Sequence, residues 1–86
     1  MRVLFEPKAL EEYSDWALTD KAAFRKINRF ISEIRRGGVL EGTGKPEALK
    51  HRSMNSRRIN EKDRFVYKIL DDTLYIESCK GHYDDK

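Results

Sequence analysis

The sequence predicts an α+β domain, with two N-terminal helices packed on a mainly antiparallel sheet. Apolar residues recur at helical spacing up to Ile34, the period changes to two beyond Gly42, and Gly37-Gly38 separates the two regimes. Arg2 to Phe5 is a short apolar run that reads as an edge strand. Pro7 then suits the first turn of a helix, where a missing N–H leaves no bond unmade, and Leu10, Tyr13 and Ala17 follow at helical spacing. Thr19 or Asp20 caps a second helix. In it Ala23, Ile27, Phe30 and Ile34 form one apolar stripe, while Lys21, Arg25, Lys26, Arg29 and Arg35 mostly point elsewhere. Arg57 to Ile59, Arg64 to Leu70 and Leu74 to Lys80 read as three antiparallel strands joined by turns at residues 60–63 and 71–73. Helices covering one sheet face leave the other open to a ligand.

The chain of 86 residues makes one domain, 1–86, with a small core. Hydrophobic and charged residues each make up 38%, and no stretch approaches the roughly 18 apolar residues of a membrane span. No targeting segment is expected, because Met1 to Phe5 runs at once into Glu6-Pro7. Cys79 is the single cysteine, so no intrachain disulfide forms and a cytoplasmic location is expected. The net charge of +3 is modest but unevenly placed: Lys45, Lys50, His51, Arg52, Arg57, Arg58 and Arg64 cluster in the second half. Such a cluster attracts a polyanion by neutralising phosphates and releasing counterions.

Two motifs fail on inspection. Gly42-Thr43-Gly44-Lys45 resembles a phosphate loop, but Val39 and Pro46 stand where a P-loop needs glycine and Ser or Thr. Cys79 and His82 have the spacing of half a zinc site, yet one cysteine and two histidines do not complete one, and no metal or other cofactor is expected. If the turn at Asp71-Asp72 is tight, Arg64 falls opposite Cys79, so His82 and Tyr83 project just past the sheet end where Arg64 begins. A carboxylate (Glu47), a guanidinium (Arg64) and an imidazole (His82) in one small basic domain suit metal-free RNA cleavage.

Several short segments occur in a telling order: Tyr13 and Trp16 with Thr19-Asp20-Lys21, Lys26-Ile27-Asn28, Arg35-Arg36, and the run from Gly42 to Lys50. Ser56-Arg57-Arg58-Ile59, Arg64-Phe65-Val66-Tyr67 and His82-Tyr83 complete the set. Together they resemble the YoeB/Txe family of toxins, within the RelE/ParE superfamily of bacterial toxin–antitoxin systems. The chain departs from the family pattern in a short segment between Lys50 and Ser56 and in three residues, Asp84-Asp85-Lys86, after the tyrosine.

The resemblance implies a RelE-like, microbial-ribonuclease-like fold and a type II toxin that cuts messenger RNA in the ribosomal A site. It also implies neutralisation by a YefM-like antitoxin and a possible homodimer. The family's catalytic residues map onto Glu47 as general base, Arg64 as phosphate and transition-state stabiliser, His82 as general acid and Tyr83 as a positioning group. Lys45, Lys50, Arg57 and Arg58 are expected to anchor phosphates. For Arg64 the plain alternative is a strand-end ion pair with Asp63 or Glu61, and for Trp16 it is packing or an oligomer contact. Two other functions compete with the nuclease: a ParE-like toxin that inhibits gyrase by binding alone, and a small RNA-binding module that does not cleave.

Overall fold

A computed structural model describes residues 1–81. The chain runs β1 (Arg2–Phe5), α1 (Pro7–Thr19), α2 (Lys21–Arg35), β2 (Glu47–Ala48), β3 (Asn55–Arg58), β4 (Arg64–Leu70) and β5 (Thr73–Ser78). The strands form one five-stranded sheet in the order β1-β5-β4-β3-β2. Only the β1–β5 pairing is parallel; the others are antiparallel. The expected α+β fold is therefore present, with β1 at one edge. The other edge is β2, a two-residue strand where no strand was expected.

Local chemistry explains the helices. The Asp20 carboxylate accepts hydrogen bonds from the Ala22 and Ala23 amides, each at 3.1 Å, which satisfies two of the four donors that a helix start leaves unpaired. At the other end Gly37 takes φ 102°, a left-handed value natural to glycine, and Gly38 N–H closes back on the Glu33 carbonyl at 3.0 Å. Between these caps Ala23, Ile27, Phe30 and Ile34 are all buried, as the stripe requires. Truncating Ile27 to alanine would leave a cavity and cost about 2–5 kcal/mol.

In α1 the buried face is Ala9 and Trp16 with Tyr13 and Ala17 half-buried, whereas Leu10 is half exposed. Leu10 is thus not part of the stripe assigned to it. Small Ala9 and the large ring of Trp16 make up the buried face of α1 against the core. Phe65, Tyr67, Leu74 and Ile76 supply the sheet side of the core, alternating with residues that face away from the helices.

The β4–β5 register follows the tight turn as expected from Leu70↔Thr73 to Tyr67↔Ile76. A bulge then shifts it, so Val66 pairs with Ser78 and Arg64 N–H bonds to the Gly81 carbonyl at 2.9 Å rather than lying opposite Cys79. Asp71 and Asp72 both hold positive φ, 51° and 54°, which is the geometry of a two-residue hairpin turn. No helix among the described residues is long and apolar enough to cross a membrane.

Candidate active site

Side chains alternate along a strand, so residues facing away from the helices gather on the open sheet face. Glu47 on β2 lies across from Ser56 on β3, and Arg58 on β3 lies across from Arg64 on β4. Arg64 Nη1 donates to Glu47 Oε1 at 2.9 Å and to Ser56 Oγ at 3.3 Å. The guanidinium is largely sheltered, with 14% of its side chain exposed, while Glu47 is 56% exposed. One face of the carboxylate thus meets a fixed cation and the other meets solvent. An exposed ion pair of this kind adds little stability, about 0–1 kcal/mol, so its geometry matters more for chemistry than for folding.

Arg58 and Arg64 are cross-strand neighbours, and like charges directly opposite each other repel. Arg58 is exposed and also lines a cleft with Lys26, Gly44, Lys45, Asn60 and Glu61. An anion placed between these cations would relieve the repulsion. Lys45 holds φ 51° beside Gly44, and Lys50 is exposed on the turn that the Leu49 amide closes onto the Met54 carbonyl at 2.9 Å. The short 51–55 segment is therefore a compact hairpin loop with β3 beginning at its last residue.

Arg64 does not pair with Asp63. The Asp63 carboxylate accepts from Gly81 N–H at 2.8 Å and from the Asn60 side chain at 3.0 Å. The chain just before Gly81 is tied down as well: Trp16 Nε1 donates to the Cys79 carbonyl at 2.7 Å, and Glu12 accepts from the Cys79 amide at 2.8 Å. Gly81 is thereby held beside Arg64. His82 and Tyr83 lie outside the described residues.

Residues 5–83 match the family described as the YoeB-like toxin of bacterial type II toxin-antitoxin systems. The chain belongs to this family. It is 42% identical over 85 residues to toxin YoeB of Escherichia coli (strain K12), spanning 96% of this chain and 100% of that one. The YoeB dimer from Staphylococcus aureus superposes with a TM-score of 0.89 at 42% identity, covering 96% of this chain and 98% of that one. YoeB in a heterotetrameric YoeB–YefM complex from Staphylococcus aureus gives 0.86 at 44% identity, with the same coverage. The chain is thus a toxin of a type II toxin–antitoxin system with a RelE-like fold.

One expected phosphate anchor of this YoeB-family toxin is misassigned. Arg57 is buried, with none of its side chain exposed, because β3 alternation turns it toward the helices alongside Phe65 and Tyr67. Its guanidinium bonds to Glu33, Gly38, Glu41, Thr43 and Tyr67, which leaves no face for RNA. The Gly42-Thr43-Gly44 loop does bind an anion, but an internal one: Thr43 donates to the Glu33 carboxylate through its amide at 2.9 Å and its hydroxyl at 2.8 Å. Burial raises the pKa of Glu33, and the Thr43 and Arg57 hydrogen bonds outweigh it, holding the carboxyl below its ordinary value. Gly42 is required here, since a Cβ at that position would lie 2.5 Å from Glu33 Oε1.

Sequence reasoning gave no site role to Ser56, Glu33 or Glu12 and offered Asp63 only as a partner for Arg64, yet each of the four orders a segment of the site. For Ser56 the cue was strand alternation, which puts it on the same face as Arg58. Glu33 and Glu12 carried no local cue, because their partners lie 10–24 and 67 residues away.

Proposed function

We propose that this toxin is a ribosome-dependent endoribonuclease that cuts messenger RNA in the A site by metal-free acid–base chemistry. The observation that carries the reading is the Glu47–Arg64 contact on the open sheet face, with the backbone of Gly81 bonded to Arg64. Glu47 takes the proton from the ribose 2′-OH, and the oxygen so freed attacks the adjacent phosphorus. Arg64 stabilises the extra negative charge of the phosphorane, a task for which a guanidinium offers two directed donors. His82 delivers a proton to the departing 5′-oxygen, and Tyr83 orients the substrate, leaving a 2′,3′-cyclic phosphate and a free 5′-hydroxyl. Lys45, Lys50 and Arg58 neutralise neighbouring phosphates.

The contact with Arg64 suits Glu47 to act as a base, because it holds the carboxylate in a fixed place beside the cation that would meet the phosphate. A toxin that works by binding alone needs no such pairing of base and cation, which favours the nuclease over gyrase inhibition. The protein is proposed to act in the cytoplasm, where ribosomes are, and to be neutralised there by a YefM-like antitoxin. An antitoxin segment rich in carboxylates would fold over Lys45, Lys50, Arg58 and Arg64 and displace substrate. Self-association into a dimer, as in the Staphylococcus aureus relative, is part of the same reading.

The test is to map messenger RNA 5′ ends on ribosomes shortly after induced expression. Wild type should give discrete new ends within open reading frames, while Glu47→Gln and His82→Gln should each lower cleavage by roughly 10²-fold or more. Growth arrest without new ends would point instead to a binding toxin.

A further inference from the structure

Arginine carries five N–H donors in a planar fork, and Arg57 uses all of them. Nε donates to Tyr67 Oη at 3.2 Å; Nη1 donates to Glu33 Oε1 at 2.7 Å and the Thr43 carbonyl at 3.2 Å; Nη2 donates to the Glu41 carbonyl at 2.8 Å and to the Gly38 carbonyl. The acceptors come from α2, from β4 and, three times, from the main chain of the 38–43 loop. A buried charge is a poor means of gaining stability, because desolvation offsets most of the attraction and apolar packing of the same volume does as well. Its particular capacity is directional: one rigid fork sets several carbonyls relative to one another.

That loop is the approach to the site. It runs through Gly42, Gly44 and Lys45, all at positive φ, into β2, and Arg58 N–H bonds to the Gly44 carbonyl at 2.7 Å. Glu47 itself has little to hold it, since β2 has only two residues and pairs on one side with β3. On its N-terminal side the placement of Glu47 depends on the loop, and the loop depends on Arg57.

We propose that Arg57 is a positioning residue: by pinning the 38–43 loop from inside the core it fixes the entry to β2 and so holds Glu47 against Arg64. This rests on the nuclease reading above. Arg57 touches no substrate; it lies on the hidden face of the strand, whose neighbours on the other face, buried Ser56 and exposed Arg58, line the site.

The test is a double-mutant cycle in single-turnover cleavage of ribosome-bound messenger RNA, with Arg57→Lys and Glu47→Gln alone and together. Lysine keeps the charge but, with three donors on a flexible stem, cannot hold five acceptors. Arg57→Lys should slow the cleavage step roughly 10-fold or more, the scale of a misplaced general base, while apparent ribosome affinity changes little. In the Glu47→Gln background it should cost almost nothing further. Hydrogen exchange at the Arg58 amide, bonded to Gly44, should quicken in Arg57→Lys while amides of the β4–β5 ladder stay protected. Thr43→Val supplies a milder unpinning if Arg57→Lys folds poorly, because it removes the hydroxyl bond to Glu33 and leaves the guanidinium in place. It should show the same cycle at smaller amplitude.

Equal losses from the second substitution in both backgrounds would overturn the proposal, as would wild-type cleavage by a folded Arg57→Lys variant. Wild-type cleavage by Glu47→Gln alone would instead defeat the assignment of the base, and the exchange measurement would still show whether Arg57 pins the loop.

Discussion

Trp16 donates its indole N–H to the carbonyl of Cys79 at 2.7 Å, a buried bond between residues 63 apart in sequence that ties α1 to the chain just past β5. Beyond the bulge, main-chain groups near Cys79 are met by α1 side chains: Trp16 for the carbonyl and Glu12 for the amide. Trp16→Phe keeps most of the ring and leaves that carbonyl without its donor. The expected cost is about 1–3 kcal/mol, the usual penalty for an orphaned buried acceptor. For a domain of this size that lowers Tm by about 4 °C or more. Cleavage should fall further than the folded fraction does, because the same bond fixes the segment leading to His82. Thermal unfolding and a cleavage assay at 25 °C read the two effects, and an unchanged Tm would remove Trp16 from this role.

Arg64 and Lys50 should respond differently to conservative exchange. Arg64 makes directed contacts to Glu47 and Ser56 from a sheltered position, so Arg64→Lys loses the planar fork and should cut cleavage by at least about 10-fold. Lys50 is exposed on a turn, where a diffuse charge serves a phosphate contact, so Lys50→Arg should stay within a few-fold of wild type. Circular dichroism must show both variants folded at the assay temperature. Equal activities would mean that the two roles are wrongly divided.

The parts of this fold that were legible in the sequence are those set by neighbours a few residues away. The Ala23-Ile27-Phe30-Ile34 stripe, the Asp20 cap and the Asp71-Asp72 turn all follow from local periodicity and capping chemistry, and all are present. The bulge between Val66 and Tyr67 was not legible, because no local pattern marks it and the Trp16 and Glu12 bonds to the main chain of Cys79 just beyond it join segments far apart in sequence. Nor was the direction of Arg57. Its charge reads as surface, and only the strand register, with Arg57 opposite Phe65, turns it inward to a carboxylate 24 residues away. In the site, Glu47 and Arg64 were found through family resemblance and lie in contact. The Ser56, Asp63 and Glu12 contacts that order their surroundings depend on pairings between distant segments.

Acid should act through Glu33. The Thr43 and Arg57 hydrogen bonds overcome the effect of burial and hold its folded-state pKa below the ordinary value of 4.5. For a carboxyl depressed in this way, the folded state binds fewer protons than the unfolded state near the unfolded pKa. Its contribution to stability is therefore fully present above about pH 4.5 and is lost as pH falls through the lower folded-state value. Glu33→Gln still offers an acceptor to Arg57 but no charge, and should destabilise the protein at pH 7 by about 1–3 kcal/mol. The gap between wild type and Glu33→Gln should then narrow steadily below about pH 4.5, because protonated Glu33 resembles the amide. Urea unfolding of both proteins at intervals from pH 3 to pH 7 measures that gap directly. Parallel stability curves across the range would show that the Glu33 charge does not hold the loop, and that the buried guanidinium is balanced by the carbonyls of Gly38, Glu41 and Thr43 alone.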